Sequence, residues 1–221
     1  MSKSISFVAV LVAATFISCK NEKNEPAPGK ADTVVTAAAK LPNDDQSADK
    51  EQITQLIRRT LVWADGKAPD LLPALENPGD TISTGIDFKK QVVNLNILKA
   101  SGFFSKEFVD NASNIAKTID KNLKAGKYGV WDTREIPPFN IYNDVNPWCN
   151  CQDNFEWDEV ETEVISLDNN KGELKWKFRT SPGADQSWKD FSYKFRVVKD
   201  GGEWKISYME GFDYNEATKV F

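Results

Sequence analysis

Asn143-Asp144-Val145-Asn146-Pro147-Trp148-Cys149-Asn150-Cys151-Gln152-Asp153-Asn154-Phe155-Glu156-Trp157 separates two parts of the chain that repeat at different periods. Before it, apolar residues recur every three or four positions, as one face of a helix requires. After it they alternate, as one face of a strand requires. The stretch is therefore read as the junction between a helical half and a sheet half.

Beyond the junction, Val160, Thr162 and Val164 alternate with Glu161, Glu163 and Ile165, and Asp168-Asn169-Asn170-Lys171-Gly172 supplies turn chemistry. Leu174, Trp176 and Phe178 then oppose Lys175, Lys177 and Arg179. Past a Ser181-Pro182-Gly183 loop, Phe191, Tyr193, Phe195 and Val197 form a third apolar row against Lys194 and Arg196. Asp200-Gly201-Gly202 closes a hairpin onto Trp204, Ile206 and Tyr208. The pattern predicts an antiparallel meander of about four strands with one aromatic and one charged face. The charged face is read as solvated, with Glu161 and Glu163 opposite the Lys/Arg row of the next strand.

Before the junction, Ala48 to Ala64 sets Ile53, Leu56, Ile57, Thr60, Leu61 and Ala64 on one helical stripe, with Ser47 or Asp49 as cap and Asp65-Gly66 as terminator. Pro69 to Glu76 reads as a short helical turn stopped by Asn77-Pro78-Gly79. Asp87 to Ala100 reads as a helix packed through Phe88, Val92, Leu95 and Leu98. The clearest helix starts at Ser105 as N-cap. It buries Phe108, Val109, Ala112, Ile115, Ala116, Ile119 and Leu123, and it ends at Ala125-Gly126 with Lys121, Lys124 and Lys127 near its negative end. The fold class is α+β, with N-terminal helices covering the aromatic face of a C-terminal sheet.

The 221 residues are 40% hydrophobic and 28% charged, which suits one ordinary globular core. The formal charge of −5 becomes −6 without the first eighteen residues, whose only charged side chain is Lys3. That balance argues against a nucleic-acid partner, which needs a clustered basic surface. Histidine is absent, so the commonest general base near neutral pH and the commonest metal ligand are missing. No metal and no cofactor are expected.

Lys3, an apolar run from Phe7 to Ile17 interrupted only by Thr15, and Ser18 before Cys19 form a signal-peptide pattern, too short for a permanent span. Residues 1–18 are read as the signal, 19–47 as a lipidated cysteine with a disordered tether, and 48–221 as one α+β domain. From Lys20 to Ser47 large apolar residues are nearly absent, so burial cannot offset the entropy of ordering the segment. A flexible coil of this length reaches about 30 Å on average. Phe16-Ile17-Ser18-Cys19 resembles the lipobox of bacterial lipoproteins, although Phe16 departs from the usual Leu. The resemblance implies acylation of Cys19 and a place in the cell envelope, at the outer membrane facing the periplasm or the cell surface.

Phe104 to Phe108, Asn143-Asp144-Val145-Asn146-Pro147 with Gln152-Asp153, and Gly202-Glu203-Trp204-Lys205-Ile206 resemble a family of small bacterial lipoproteins and exported proteins classed as a domain of unknown function. Helices followed by a meander also resemble the cystatin-like, nuclear-transport-factor-2-like superfamily. These resemblances cover roughly Ile53 to Phe212. They imply a cone-shaped domain and no transferable catalytic residue.

Three features near the junction could carry chemistry. Cys149 and Cys151 can close a local disulfide if the chain turns at Asn150; free or intermolecular thiols and a redox-active pair are the alternatives. Asp144, Asp153, Glu156 and Asp158 lack the spacing of a calcium loop and read as caps and turns of a solvated acidic segment. Trp131, Trp148 and Trp157 bracket the segment and, with Asp153 and Glu156, are the candidate surface for a small ligand or a protein partner. The expected function is a membrane-anchored, non-catalytic binding or interaction role. The alternatives are a small-ligand binder, sugars included, an enzyme using Asp153 or Glu156 with Tyr128 or Tyr142, and an immunity-like inhibitor that presents the Asp144 to Asp158 loop to a secreted effector.

Overall fold

The two periods fold as two layers in a computed structural model, which describes residues 44–142, 145–152, 156–179 and 189–220. The expected signal peptide, Cys19, the tether as far as Asn43 and the Ser181-Pro182-Gly183 loop lie outside these residues. In chain order the elements are α1 Asp44–Lys67, β1 Ala74–Glu76, β2 Ser83–Ile86, α2 Phe88–Ser101 and α3 Lys106–Lys124. They are followed by β3 Val160–Leu167, β4 Lys171–Phe178, β5 Tyr193–Asp200, β6 Glu203–Met209 and a last turn of helix, α4 Tyr214–Ala217. The chain is α+β, and β3-β4-β5-β6 is an antiparallel meander C-terminal to the helices.

Helix α1 buries Ile53, Leu56, Ile57, Thr60 and Leu61, the expected stripe. It starts at Asp44 rather than Ala48. Gly66 stays helical, and the helix stops before Pro69. Asp49 is not a cap: its carboxylate accepts from Trp204 Nε1 at 2.8 Å and from Lys199 Nζ at 3.0 Å, tying α1 to the β5–β6 hairpin. Thr54 and Thr162 share a buried hydrogen bond of 2.6 Å, and Arg58 Nε donates to the Val160 carbonyl at 2.8 Å, which seats α1 along β3.

Pro69 to Glu76 is not helical. Pro69 and Pro73 disfavour helix at the residues before them, and Ala74–Glu76 pairs antiparallel with β2 instead. Gly85 lies against α3, where a Cβ would fall 2.5 Å from Asp120 Oδ1, and the same oxygen accepts the Ile86 N–H at 3.0 Å. In α2 the expected stripe holds at Leu95 and Leu98 but not at Phe88 and Val92. Asp87 caps the helix, and Gln91 faces inward beside Leu98 while Phe88 and Val92 are exposed. Apolar residues spread around this helix, so periodicity leaves its phase open and packing chooses it. The cost is visible at Gln91, whose buried amide makes no hydrogen bond among the described residues.

Ser105 caps α3, which buries the expected residues except Leu123, half-buried at its end. Phe103 to Ser105 also cover the open side of β6: Ser105 N–H donates to the Ile206 carbonyl at 2.9 Å, and Ile206 N–H donates to that of Phe103 at 2.8 Å. Val197 pairs with Ile206 but Arg196 pairs with Tyr208, so Ser207 is an extra residue. That bulge corrects the expected row. Met209 turns inward against Phe195, and Tyr208 turns outward beneath the Arg196 guanidinium, 4.3 Å from its ring. A second shift, between Val164 and Ser166, leaves Ile165 exposed. On the outer face Glu163 meets Lys175 at 3.3 Å and Glu161 meets Arg179 at 2.9 Å, exposed pairs worth a few tenths of a kcal/mol at about this exposure. The space between sheet and helices is filled by Phe108, Phe139, Trp176, Tyr193, Phe195 and Phe212, all essentially inaccessible.

Candidate functional site

The junction folds on itself before it meets the core. Asn146 N–H donates to the Cys151 carbonyl at 2.9 Å, Asn150 N–H donates to the Asn146 carbonyl at 2.7 Å, and the Asn146 side chain accepts the Trp148 N–H at 3.0 Å. Asn150 takes the left-handed conformation at φ 50°, which an Asn tolerates better than most residues. That turn brings the Cα atoms of Cys149 and Cys151 to 5.1 Å and their sulfurs to 1.97 Å, so the expected local disulfide is the arrangement adopted.

Pro147 and Trp148 then dock the turn. Tyr193 Oη donates to the Pro147 carbonyl at 2.8 Å and accepts the Gly211 N–H at 2.8 Å. The Trp148 ring packs against Phe212 at 4.5 Å and against Trp63 and Phe104 at 5.6 Å. Burial holds the Tyr193 hydroxyl well above its ordinary pKa, and the Gly211 hydrogen bond opposes this only in part.

Trp131 reaches the same region from the other side. Its carbonyl accepts the Ser83 N–H at 2.8 Å, extending the β1–β2 hairpin, and its ring stands edge-on to Phe139 at 5.0 Å. Between it and Trp148 lies an open cleft of about 630 Å³ whose other walls come from Ala64, Ala68, Pro69, Leu72, Ala74, Pro137 and Pro147. The Trp131 indole N–H finds no partner among the described residues, whereas two other polar side chains of the cleft are engaged. Asp70 Oδ1 accepts the Leu72 N–H at 2.9 Å, and Thr133 Oγ1 donates to the Thr81 carbonyl at 3.1 Å. Beside Trp131, hydrogen bonds from Arg134 hold the Asp132 carboxyl well below the usual carboxylate range.

The structure therefore brings Trp131 and Trp148 together and takes Trp157 elsewhere. Trp157 is buried against the sheet, 6.4 Å from Trp176 and 6.2 Å from Phe178. Glu156 is exposed and does not line the cleft. Asp144, Asp153 and the Tyr142 side chain lie outside the described residues. Tyr128 is committed to holding the C-terminus: its hydroxyl donates to the Thr218 carbonyl at 2.9 Å and accepts from Asn122 at 3.2 Å. Sequence reasoning missed Ala64, Ala68 and Leu72 as cleft walls, because a small residue at a helix end carries no signal of what faces it. It also missed Gly211, where a Cβ would lie 1.9 Å from the Pro147 oxygen; no residue type in the sequence signals such a long-range backbone contact.

Chemically, the cleft offers aliphatic walls and small parts of two largely buried indoles, each 6% exposed, with no nucleophile paired to a base. Among the described residues no group of three or more acidic or thiol side chains is placed to hold a metal ion. Comparison of the chain with protein-family models, with curated proteins and with solved structures finds no match.

Proposed function

We propose that this is a lipoprotein of the bacterial envelope, anchored through Cys19 at the outer membrane, whose α+β domain acts by binding and not by catalysis. The Trp131–Trp148 cleft is its binding surface. The cleft carries this reading: its volume of about 630 Å³ suits a small ligand, and its aromatic and aliphatic walls suit a flat apolar face. A sugar ring or an aromatic side chain of a partner protein offers such a face. The apolar run before Cys19 supports the anchor, as does the closed Cys149–Cys151 pair, a bond that persists in oxidising compartments. No helix among the described residues is long and apolar enough to cross a membrane. The order of helices before meander supports kinship with cystatin-like, nuclear-transport-factor-2-like domains.

Each half has its own test. Globomycin, which blocks lipoprotein signal peptidase, is expected to leave an unprocessed precursor; unchanged processing removes the anchor. Gluco- and chito-oligosaccharides and aromatic peptides, titrated against tryptophan fluorescence, are expected to perturb Trp131 and Trp148. Ala68→Arg, at the half-buried wall of the cleft, is expected to weaken that binding about tenfold or more, the effect of losing an apolar contact and crowding the site. Binding that survives Ala68→Arg unchanged places the ligand elsewhere.

A further inference from the structure

Helix α2 shows solvent what a surface helix ordinarily hides. Phe88, Val92, Val93 and Ile97 are 37%, 57%, 58% and 40% exposed, and Gln91 and Leu98 point the other way. The only charged residues in the helix are Lys89, Lys90 and Lys99, so it carries three positive charges on a chain whose formal charge is −5. At helical spacing Phe88 and Val92 form one outward ridge with Lys99 beside it, and Lys89, Val93 and Ile97 form the next, so apolar and basic groups share a face. Lys89 and Lys99 form no ion pair among the described residues, and Lys90 reaches Asp87 only at 4.0 Å. Asp87 itself is occupied in capping the helix. A shallow groove of about 400 Å³ separates Val93 and Lys90 from Pro73 and Ala74, with Asp70 and Glu76 on its far wall.

We propose that this face of α2 lies in the headgroup boundary of an anionic lipid surface. Apolar side chains interleaved with lysines are what that boundary accepts: the rings and branches enter the acyl edge while the ammonium groups stay among the phosphates. A second copy of the chain would set lysine against lysine, and a basic partner would be repelled in the same way. The segment before Asp44 fits the same occupant. On the anchor reading, on which this point rests, Lys20 to Asn43 is a tether of about 27 Å mean reach. It keeps α2 at high effective concentration beside the headgroups, so a weak contact suffices.

The test uses the chain from Lys20, which lacks the signal and Cys19. Among the described residues every buried apolar side chain lies between Ile53 and Ala217, so this chain contains the core they form. In sedimentation it is expected to partition onto phosphatidylcholine vesicles containing phosphatidylglycerol and not onto pure phosphatidylcholine. Lys89→Gln, Lys90→Gln and Lys99→Gln together are expected to lower that partition roughly 100-fold, about fivefold for each lysine. Val92→Glu with Val93→Glu should abolish it. All five positions are exposed, so the melting temperature should hold, and a variant that melts early is replaced by Val92→Ser with Val93→Ser. Three outcomes overturn the proposal: no binding to the anionic vesicles, equal binding by the variants, or a dimer in solution that Val93→Glu dissociates. Processing that ignores globomycin would remove the anchor and leave the vesicle result standing.

Discussion

Gly211→Ala is expected to cost the domain about 3–5 kcal/mol, the upper range for a single substitution, and to lower its melting temperature by about 10 °C or more. The added methyl would sit 1.9 Å from the Pro147 oxygen and 2.7 Å from its carbonyl carbon. These are backbone atoms, so no rotamer change relieves the contact. Either the Glu210–Phe212 turn or the junction must move by more than 1 Å, on the order of a van der Waals overlap. Both movements break the Tyr193 hydrogen bonds and lift Trp148 from Phe212. Urea unfolding followed by circular dichroism measures the loss. A variant that melts within about 2 °C of the parent would mean that Pro147 is not seated on this turn.

Tyr193→Phe removes one oxygen and is expected to cost about 2–4 kcal/mol. The ring remains stacked on Trp176 at 5.5 Å, so packing changes little. The Pro147 carbonyl and the Gly211 N–H lose their shared partner, and a buried group left unpaired costs about 1–3 kcal/mol. By comparison, the Cys149–Cys151 bond closes so small a loop that its entropic contribution is about 1.6 kcal/mol. The phenol therefore holds the junction more strongly than the disulfide does. Reduction with dithiothreitol should shift the urea midpoint less than Tyr193→Phe, and the reverse order would refute this ranking.

Alkaline pH tests the same hydroxyl. Burial raises the Tyr193 pKa above its ordinary value of 10, and burial, with the Asp213 carboxylate, raises that of Tyr208 to about 12. In both, folding favours the neutral phenol. The stabilisation is therefore fully present below pH 10 and is lost as pH rises through the folded-state values, because the unfolded chain ionises first. Stability should be flat up to about pH 9 and fall beyond 10, more steeply in the parent than in Tyr193→Phe.

Much of this was legible in the sequence. The α3 helix carries its cap, stripe and terminal lysines in one segment, and β4 and β5 alternate cleanly, so local chemistry alone specified them. The turn at Asn150 was likewise foreseeable from the spacing of Cys149 and Cys151. Elements without a single dominant face were not readable. Helix α2 has apolar residues on every side, and only its packing turned Gln91 inward and left Phe88 and Val92 exposed. The bulge at Ser207 shifts Tyr208 outward without leaving a mark in the pattern.

The site divides in the same way. Sequence alone determined the α+β class, the place of the junction, the possibility of a local bond between its cysteines and the aromatic residues worth watching, because these depend on periodicity and on short covalent spans. Only the tertiary structure decided that Trp131 and Trp148 share a cleft while Trp157 packs on the sheet. It alone decided that Pro147 is held between Tyr193 and Gly211, two residues far along the chain. Such contacts join segments that have no local preference for one another, and they exist because close packing of the whole core leaves those groups no other place.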